Sequence, residues 1–527
     1  MVETDSPQTP RCLEQDVKLS QSLLWPALRR FFVERGPEAW RGGGVPHYVT
    51  NNPALTASYA ALVLGHLRDL AAAGWRWDDA APFTVVELGA GTGRFAFQFL
   101  SAFCELLALS PLAGTPFRYV MTDIAEANIA FWRDHPAFAG FIGSGRLDFA
   151  AFDAEADTAL ALRLAGTTLQ PAATAPPMVV IANYVFDGLP QDGFVIRDGR
   201  LNECLVSIET DDAVIEPTDP GLLAALRCRF TDRKLDAPPY AEPVFNALLD
   251  RYAERYEGQT LLFPHAALRC IDRLAALGAG RLLLLTADRG EVHEPCVRSD
   301  VPLGLAMHGS FSFPVNYHAI AETVGDRGGV SLTTSYRHVS LAVSAFLLGH
   351  DPANLAETRL AFQTAIEQRG PDDLFVLRLG IREHYAGLGL PQLMALLRIT
   401  GWDPRLVGEC APVLWERIQT ADGPQRQELV KIIERAWTCY FHIGEEQDLA
   451  FEFGMLLYGL GAYESALARF EESRRLYGED ARALWNKGLC HAALGQAVEA
   501  GACMTEAFRL EPGFTVPNAI IGKHGGD

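Results

Sequence analysis

A glycine-rich segment between an apolar run and a helical pattern has the residue types of a nucleotide-type binding loop. The segment reads FTVVELGAGTGRFAFQFL from Phe83 to Leu100, with glycines at positions 89, 91 and 93. Phe95, Phe99 and Phe103 then recur at helical spacing. Backbone without Cβ atoms can approach a ligand closely, and a helix N-terminus adds N–H donors and the positive end of a dipole. This pattern predicts a site for a nucleoside-containing cofactor.

Two aspartates follow the next two predicted strands. Asp123 comes directly after the strand at 117–122, and Asp153 comes directly after the strand at 146–152. An acid at the end of the second strand of such a unit can accept both ribose hydroxyls, and the neighbouring Ile124 is assigned to the same site. The alternative for Asp123 is to cap the helix that begins near Ala125. Asp153 is assigned to the adenine edge.

A third set of polar residues follows a continuous apolar strand, Met178–Asn183. In open α/β sheets the ligand lies outside the carboxyl ends of the strands, so Asn183, Tyr184 and Asp187 are expected where the chemistry occurs. The alternative for Asn183 and Asp187 is turn formation, because Asn and Asp-Gly are common after strands.

These positions require a parallel sheet with helices on both faces, that is, a Rossmann-like α/β fold. The strand at 281–286 adds to this sheet, and the segments 330–334 and 341–346 are expected to complete it as an antiparallel pair. A hairpin is predicted around Asp198-Gly199. Residues 155–177 are predicted to form a helix and a connection, and 210–256 a lid or substrate-binding insertion. His308 and His318 lack the spacing of a metal site, so no metal is predicted.

The bulk composition is that of a globular protein of two or three domains. The chain has 527 residues, 49% of them hydrophobic and 21% charged, and a net charge of −20. This acidity disfavours a nucleic-acid partner, which requires a basic surface. The ten cysteines have no CxxC pair, and the N-terminus has no signal or transit pattern. No apolar run is long enough to span a membrane, so a cytoplasmic protein is expected.

The C-terminal third has a helical repeat with a period of 34 residues, the period of a tetratricopeptide (TPR) helix pair. The predicted domains are therefore a tail at 1–16, an α/β domain at 17–348 with an N-terminal helical cover, a helical connection at 349–445, TPR-like repeats at 446–515 and a tail at 516–527. The repeat aligns Gly454, Gly461, Ala466, Phe470, Ser473 and Leu476 with Gly488, Gly495, Ala500, Met504, Ala507 and Leu510.

The spacing of the loop distinguishes between two classes of cofactor. A dinucleotide site has the pattern GxGxxG, whereas this loop has its third glycine at 93. The order hydrophobic-hydrophobic-Glu-Leu-Gly-x-Gly-x-Gly resembles the first motif of class I S-adenosylmethionine-dependent methyltransferases. The resemblance implies that Glu87 lies near the methionine amine and that Asp123 binds the ribose. It also implies that the loop passes under the cofactor; the loop residues are Gly89, Ala90, Gly91, Thr92 and Gly93.

A narrower resemblance covers about residues 45–345. The segment IANYVFDGLP at 181–190 is similar to the ANEFFDALP-type motif of the MidA-like methyltransferases, a family that includes a mitochondrial complex I assembly factor that methylates a protein arginine. One departure matters, because the Glu that follows Asn in that family is Tyr184 here. If that Glu holds a guanidinium, arginine is in doubt as the acceptor, although Asp187 remains.

The leading hypothesis is a methyltransferase whose C-terminal repeats recruit a protein or peptide substrate. In this hypothesis Asp187, Asn183 and Tyr184 orient the acceptor, and Asn183 also contacts the cofactor. Two alternatives are a catalytically weak scaffold that keeps the methyltransferase fold for partner binding, and a small-molecule methyltransferase.

Overall fold

The computed structural model describes residues 10–41, 45, 47–212, 215, 219, 221–297, 301–307 and 309–515. His308, the segment 1–9 of the predicted N-terminal tail and the predicted tail at 516–527 lie outside these residues. The chain divides into two compact units: residues 1–51 with 55–376, and residues 52–54 with 377–527. The first unit holds the strands, and the second is helical.

The strands within the described residues, in chain order, are β1 (Arg11–Lys18), β2 (Phe83–Glu87), β3 (Phe117–Asp123), β4 (Leu147–Ala151), β5 (Leu160–Ala161), β6 (Thr168–Leu169), β7 (Met178–Asn183), β8 (Asp192–Arg197), β9 (Arg200–Thr210), β10 (Leu226–Lys234), β11 (Thr260–Phe263), β12 (Leu282–Asp288), β13 (Gly290–Glu291), β14 (Ala306–Met307), β15 (Phe311–Ser312), β16 (Val315–Asn316), β17 (Val330–Thr333) and β18 (Ala342–Leu348).

The helices of the first unit are α1 (Leu24–Arg35), α2 (Glu38–Arg41), α3 (Pro53–Ala72), α4 (Arg94–Ala108), α5 (Glu126–Asp134), α6 (Ala139–Gly143), α7 (Leu222–Ala225), α8 (Pro243–Arg255), α9 (His265–Leu277), α10 (Tyr317–Asp326) and α11 (Ala356–Phe362). The division between the units falls within α12 (Pro371–Arg382). The second unit continues with α13 (Leu390–Ile399), α14 (Pro404–Ile418), α15 (Gly423–Thr438), α16 (Leu449–Leu460), α17 (Tyr463–Tyr477), α18 (Ala481–Ala493) and α19 (Ala497–Leu510).

A seven-stranded sheet forms the centre of the first unit, in the order β17-β18-β12-β7-β2-β3-β4. Neighbours from β12 to β4 are parallel, and β18 is antiparallel to both of its neighbours. Every residue of β2 and β12 is buried, as expected for central parallel strands covered on both faces. The sheet confirms the predicted Rossmann-like α/β fold and its terminal antiparallel pair. The strand order reverses between β2 and β7, and ligands bind at this point in such sheets.

A second, antiparallel sheet in the first unit has the order β1-β9-β8-β11, with β10 also paired to β9. The hairpin β8–β9 confirms the predicted turn at Asp198-Gly199. The prediction of a loose tail is wrong for residues 11–16, because β1 pairs with β9 through its backbone. The polar sequence of β1 gives no pattern that would predict this pairing. At the end of the strand, Lys18 forms an ion pair with the buried Asp192 at 3.0 Å.

Two further predictions need correction. The predicted helix in 155–177 is instead the short hairpin β5–β6. Leu160 and Leu162 are buried at alternate positions, and Asp148 accepts the N–H groups of Leu164 and Ala165, which fixes a turn. In the predicted insertion at 210–256, β10 extends the antiparallel sheet and α8 packs into the apolar core of the first unit.

The predicted domain boundary after residue 348 also differs from the structure. Residues 349–376 belong to the first unit. Asp69 of α3 accepts the N–H groups of Glu357 and Thr358, and Asp372 accepts those of Val339, Ser340 and Leu341. These bonds link chain segments far apart in sequence, so the change in composition near residue 350 did not indicate the division.

The 34-residue repeat corresponds to two helix pairs, α16–α17 and α18–α19, in the second unit. Gly461 and Gly495, 34 residues apart, both have the positive φ that ends a helix, 83° and 76°. Gly454 lies against Phe470 in the first pair, and Gly488 against Met504 in the second. Helices α13 to α15 share one apolar core with α16 and α17, so the predicted connection and the repeats are continuous there.

Candidate functional site

The glycine loop leaves β2 at the point where the strand order in the sheet reverses. Gly91 has a φ of 52° and Gly93 a φ of 81°, which favours glycine over any other residue. The indole N–H of Trp132 donates to the carbonyl of Gly91 at 2.9 Å. A β-carbon on Gly93 would lie 2.9 Å from the Trp132 ring, so this close packing also requires glycine. The loop is therefore held in a fixed shape by α5 beneath it.

Glu87 is a buried carboxyl group directly before the loop. Burial raises its pKa to about 8, although the hydroxyl of Tyr119 donates to Oε2 at 2.9 Å and opposes that shift. Its backbone carbonyl accepts from Thr122 at 2.8 Å, which ties β2 to the end of β3. Burial thus favours the neutral form of Glu87, and a cationic group bound beside it would favour the ionised form.

Asp123 supports the loop from below. Its carboxylate accepts the N–H of Gly91 at 3.2 Å, the N–H of Ala125 at 2.9 Å and the amide of Asn128 at 2.9 Å. Burial raises the pKa of Asp123, and these hydrogen bonds oppose the rise. The bond to Ala125 is the capping interaction considered as the alternative from the sequence. The bond to Gly91 shows that Asp123 also positions the loop.

Asp153, predicted at the adenine edge, forms an ion pair with Arg29 of α1 at 2.7 Å. Burial alone would raise the pKa of Asp153, but the bond to Arg29 lowers it below the usual value. The aromatic ring of Trp40 lies over the loop nearby, where a β-carbon on Gly91 would be 3.1 Å from it. Trp40 stacks on Phe32 with ring centroids 5.6 Å apart. The predicted N-terminal helical cover therefore lies on this side of the loop.

A cavity of about 240 Å³ lies between the glycine loop and the turn after β7. It brings together most of the residues predicted from the sequence, whereas Asp123, Ile124, Asp153 and Gly93 do not line it. Thr50 and Asn51, after the N-terminal cover, line it as well. The predicted residues that line the cavity are Glu87, Gly89, Ala90, Gly91, Thr92, Asn183, Tyr184 and Asp187.

The turn after β7 is strained and incompletely hydrogen-bonded. Tyr184 has a φ of 51°, a left-handed conformation that is uncommon for a large side chain and costs roughly 1–3 kcal/mol. Asn183 Oδ1 accepts from the hydroxyl of Tyr59 at 2.9 Å. The buried Nδ2 of Asn183 has no partner among the described residues. An orphaned donor at the wall of a cavity favours a bound ligand or water as its partner.

Two functional candidates were missed from the sequence, Asp288 and Arg289. Asp288 ends β12, the strand next to β7, and its Oδ2 accepts the N–H of Asp187 at 3.1 Å. The guanidinium of Arg289 donates to the carbonyls of Gly304 and Ser312 at 2.7 and 3.1 Å, and it lines the cavity. Asp288 follows a buried strand as Asp123 does, so the same strand-end rule would have identified it.

A second cavity of about 270 Å³ lies beside the first and shares Arg289 and Ser340 with it. Its wall is mixed: Leu262, Pro295 and Val315 contribute apolar surface, and Glu291, Asn316 and His338 contribute polar groups. His318, weighed above as a metal ligand, bonds instead to the hydroxyl of Tyr252 at 2.8 Å. The described residues contain no group of three or more side chains that could hold a metal ion. None of the helices in the described part of the chain has the length and apolar character needed to cross a membrane.

Comparisons with known proteins give weak likenesses only. No protein-family model and no curated protein sequence matches the chain. An uncharacterized COG1565 superfamily protein from Burkholderia thailandensis is 18% identical, with a TM-score of 0.38 over 65% of this chain and 90% of that one. A second COG1565 member from the same organism, bound to S-adenosyl-homocysteine, is 21% identical, with a TM-score of 0.33 over 54% of this chain and 63% of its own. Magnesium protoporphyrin IX methyltransferase from Synechocystis, also with S-adenosyl-homocysteine bound, is 13% identical, with a TM-score of 0.28 over 61% of this chain and 98% of its own.

Proposed function

We propose that this chain is an S-adenosylmethionine-dependent methyltransferase. One observation carries the proposal: the glycine loop after β2 and the polar turn after β7 face one cavity at the point where the strand order reverses. Numbered along the chain within the sheet, the strand order is 3-2-1-4-5-7-6, with the seventh strand antiparallel. This order departs from the 3-2-1-4-5-6 order of the dinucleotide fold, because the antiparallel seventh strand lies between the fifth and the sixth.

The charges around the loop favour this cofactor over a dinucleotide. Glu87 lines the cavity and Asp123 lies directly under the loop, so a pyrophosphate would meet two carboxyl groups. A ligand with an ammonium group suits the same pair, because a cation favours the ionised form of Glu87. We assign the methionine part to Glu87, the loop and the unpartnered amide of Asn183, and the adenosine part to the side of Asp123, Ile124 and Asp153.

The cofactor supplies an activated methyl group on a sulfonium. The protein must therefore orient the acceptor and exclude water. Asp187, Asn183 and Tyr184 are the groups assigned to the acceptor, and Arg289 adds a fixed positive charge at the same wall.

We assign a protein or peptide as the acceptor, recruited by TPR-like repeats in the second unit. The repeated helix pairs α16–α17 and α18–α19 support this assignment, since stacked helix pairs of this period form surfaces that bind extended peptides.

Calorimetric titration with S-adenosylmethionine tests the cofactor assignment. We expect binding to the wild type and about tenfold or more weaker binding to Asp123→Ala, because the loop loses its support and the ribose its partner. Asp134→Ala, a change at an exposed aspartate on α5, is the matched control and should bind as the wild type does. Absence of binding to the wild type would reject both enzyme hypotheses and leave the scaffold.

Transfer of a labelled methyl group in a cell lysate tests the acceptor assignment. Label in the protein fraction that is lost on removing residues 446–527 supports recruitment by the repeats. Label found only in the small-molecule fraction would favour the small-molecule methyltransferase.

A further inference from the structure

Asp288 is a fully buried carboxyl group without a cationic partner. Its side chain lies at the carboxyl end of β12 and is 0% exposed. Oδ2 accepts the N–H of Asp187 at 3.1 Å and Oδ1 accepts the N–H of Arg289 at 2.8 Å. Within the described residues, no lysine, arginine or histidine forms an ion pair with Asp288. Two backbone N–H groups offset only part of the cost of burying a negative charge.

A second aspartate, Asp187, lies beside it and donates its backbone N–H to Asp288 Oδ2. Asp187 follows β7, the strand adjacent to β12, and its side chain lines the cavity of the candidate site. Burial raises the pKa of both aspartates, and the charge of Arg289 opposes the rise at Asp187. Two carboxyl groups at adjacent strand ends, Asp288 fully buried and Asp187 half-buried, cannot both ionise without an electrostatic cost.

The hydroxyls of two tyrosines around the two aspartates form hydrogen bonds with other residues. The hydroxyl of Tyr59 donates to Asn183, and that of Tyr317 pairs with Thr286 at 2.9 Å. Burial, and after it the charge of Asp288, raises the pKa of the tyrosines that approach the pair. The titratable and charged groups that face the two aspartates are Tyr59 of α3, Tyr184 after β7, Arg289 after β12 and Tyr317 of α10.

We propose that Asp187 and Asp288 hold one proton between them, and that Asp288 is a positioning residue that makes Asp187 the acceptor of the proton released during methyl transfer. The acceptor is then a neutral group that carries a proton, such as a hydroxyl or an unprotonated amine. This inference rests on the proposed function for its reaction, but the shared proton is a property of the protein alone.

The reaction balances as follows. The nucleophilic atom of the acceptor forms a bond to the methyl carbon while the carbon–sulfur bond breaks, and the electron pair of that bond remains on the sulfur. The proton of the acceptor passes to the carboxylate oxygen of Asp187 that faces the cavity.

The charge count favours a neutral acceptor over a guanidinium. With one proton shared, the two aspartates carry a single negative charge, and Arg289 beside them carries a positive one. A cationic acceptor would therefore enter a neutral cluster, and Tyr184 provides no further acid.

Infrared spectroscopy of the ligand-free protein with labelled aspartate detects the shared proton without any reaction. We expect the wild type to show the absorption of a protonated aspartate carboxyl at pH 7. In Asp288→Asn this absorption should decrease by the intensity of one carboxyl group. Asp148→Asn changes another buried aspartate that accepts backbone N–H groups, and it should leave the signal intact. In Asp288→Asn, kcat should fall about tenfold, because Asp187 loses the neighbour that holds the shared proton. The infrared signal, and not the rate, separates this role from a merely structural one.

The outcomes separate the possible failures. Absence of a protonated aspartate in the wild type would overturn the inference, even if Asp288→Asn does not fold. An unchanged signal in a folded Asp288→Asn, or a lost signal with an unchanged kcat, would also overturn it. Failure of the wild type to bind S-adenosylmethionine would instead remove the proposed function and leave the infrared result standing.

Discussion

The two sides of the cavity are built in different ways. On the cofactor side, the loop, Asp123 and Trp132 lie within one stretch of about fifty residues and bond to one another. On the acceptor side, Asp187 meets Asp288 from 101 residues away, and Asn183 meets Tyr59 from 124 residues away. The cofactor side is a local unit in which Asp123 accepts three donors, although the buried Oδ1 of Asn128 lacks a partner among the described residues. The acceptor side is assembled from distant segments and keeps strain and an unpartnered donor.

The largest expected effect comes from changing the backbone of the cofactor side. Gly91→Val places a branched side chain at a φ of 52°, with its β-carbon 3.1 Å from the Trp40 ring. We expect the affinity for S-adenosylhomocysteine to fall about 100-fold or more, because both strain and bulk act at the loop. Calorimetry measures this loss. Gly74→Val is the matched control, since Gly74 also has a positive φ but open space around it.

If Gly91→Val bound as tightly as Gly74→Val does, the loop would not be the cofactor cradle. The local unit would then have only a structural role.

The second effect concerns the long-range bonds of the acceptor side. Asp372→Ala removes the acceptor of three N–H groups in the segment 339–341, which leads to the cavity through Ser340. Unsatisfied buried donors should lower the free energy of unfolding by about 3 kcal/mol, measured by denaturant titration. Asp373→Ala, at the exposed neighbouring aspartate, should change it by less than about 1 kcal/mol.

Equal stabilities of these two variants would show that the segment is held by packing rather than by Asp372. The acceptor side would then depend less on distant hydrogen bonds than its geometry indicates.

The same contrast explains what the sequence could predict. The glycine loop, β2, β3 and the hairpin at Asp198-Gly199 follow from period, turn residues and local order, and the structure confirms them as elements. Asp288 was missed as a functional candidate although it follows a buried strand, because its partner Asp187 lies 101 residues away. Arg289 was missed because no motif surrounds it in the sequence. The strand β1 was missed because its side chains are mostly polar and show no hydrophobic pattern. Its pairing with β9 is made by backbone groups, which the sequence does not reveal.

A third test compares a tyrosine hydroxyl on the acceptor side of the cavity with one on the cofactor side. Tyr59→Phe removes the donor to Asn183 Oδ1. Because Asn183 is assigned to the acceptor and also to the methionine part, we expect kcat to fall about tenfold and the cofactor affinity to fall by less, about threefold. Tyr119→Phe removes the donor to Glu87 and should change the cofactor affinity by about fivefold or less, with little effect on the acceptor. Kinetics with both variants would show whether the two sides act separately. A larger loss of cofactor affinity than of kcat in Tyr59→Phe would contradict the division.

The smallest effect is the titration of Glu87, whose pKa burial raises to about 8. Between about pH 4.5 and 8, Glu87 keeps its proton in the folded state but has released it in the unfolded state. The free energy of unfolding therefore falls as the pH rises, by up to about 1.4 kcal/mol per pH unit. Glu87→Gln cannot ionise and should lack this decline in denaturant titrations. In the wild type, binding of a cationic ammonium should release up to about one proton at pH 7, detected by calorimetry in buffers of different ionisation enthalpy. Equal proton release by wild type and Glu87→Gln would assign that proton elsewhere, and the ammonium would then lie away from Glu87.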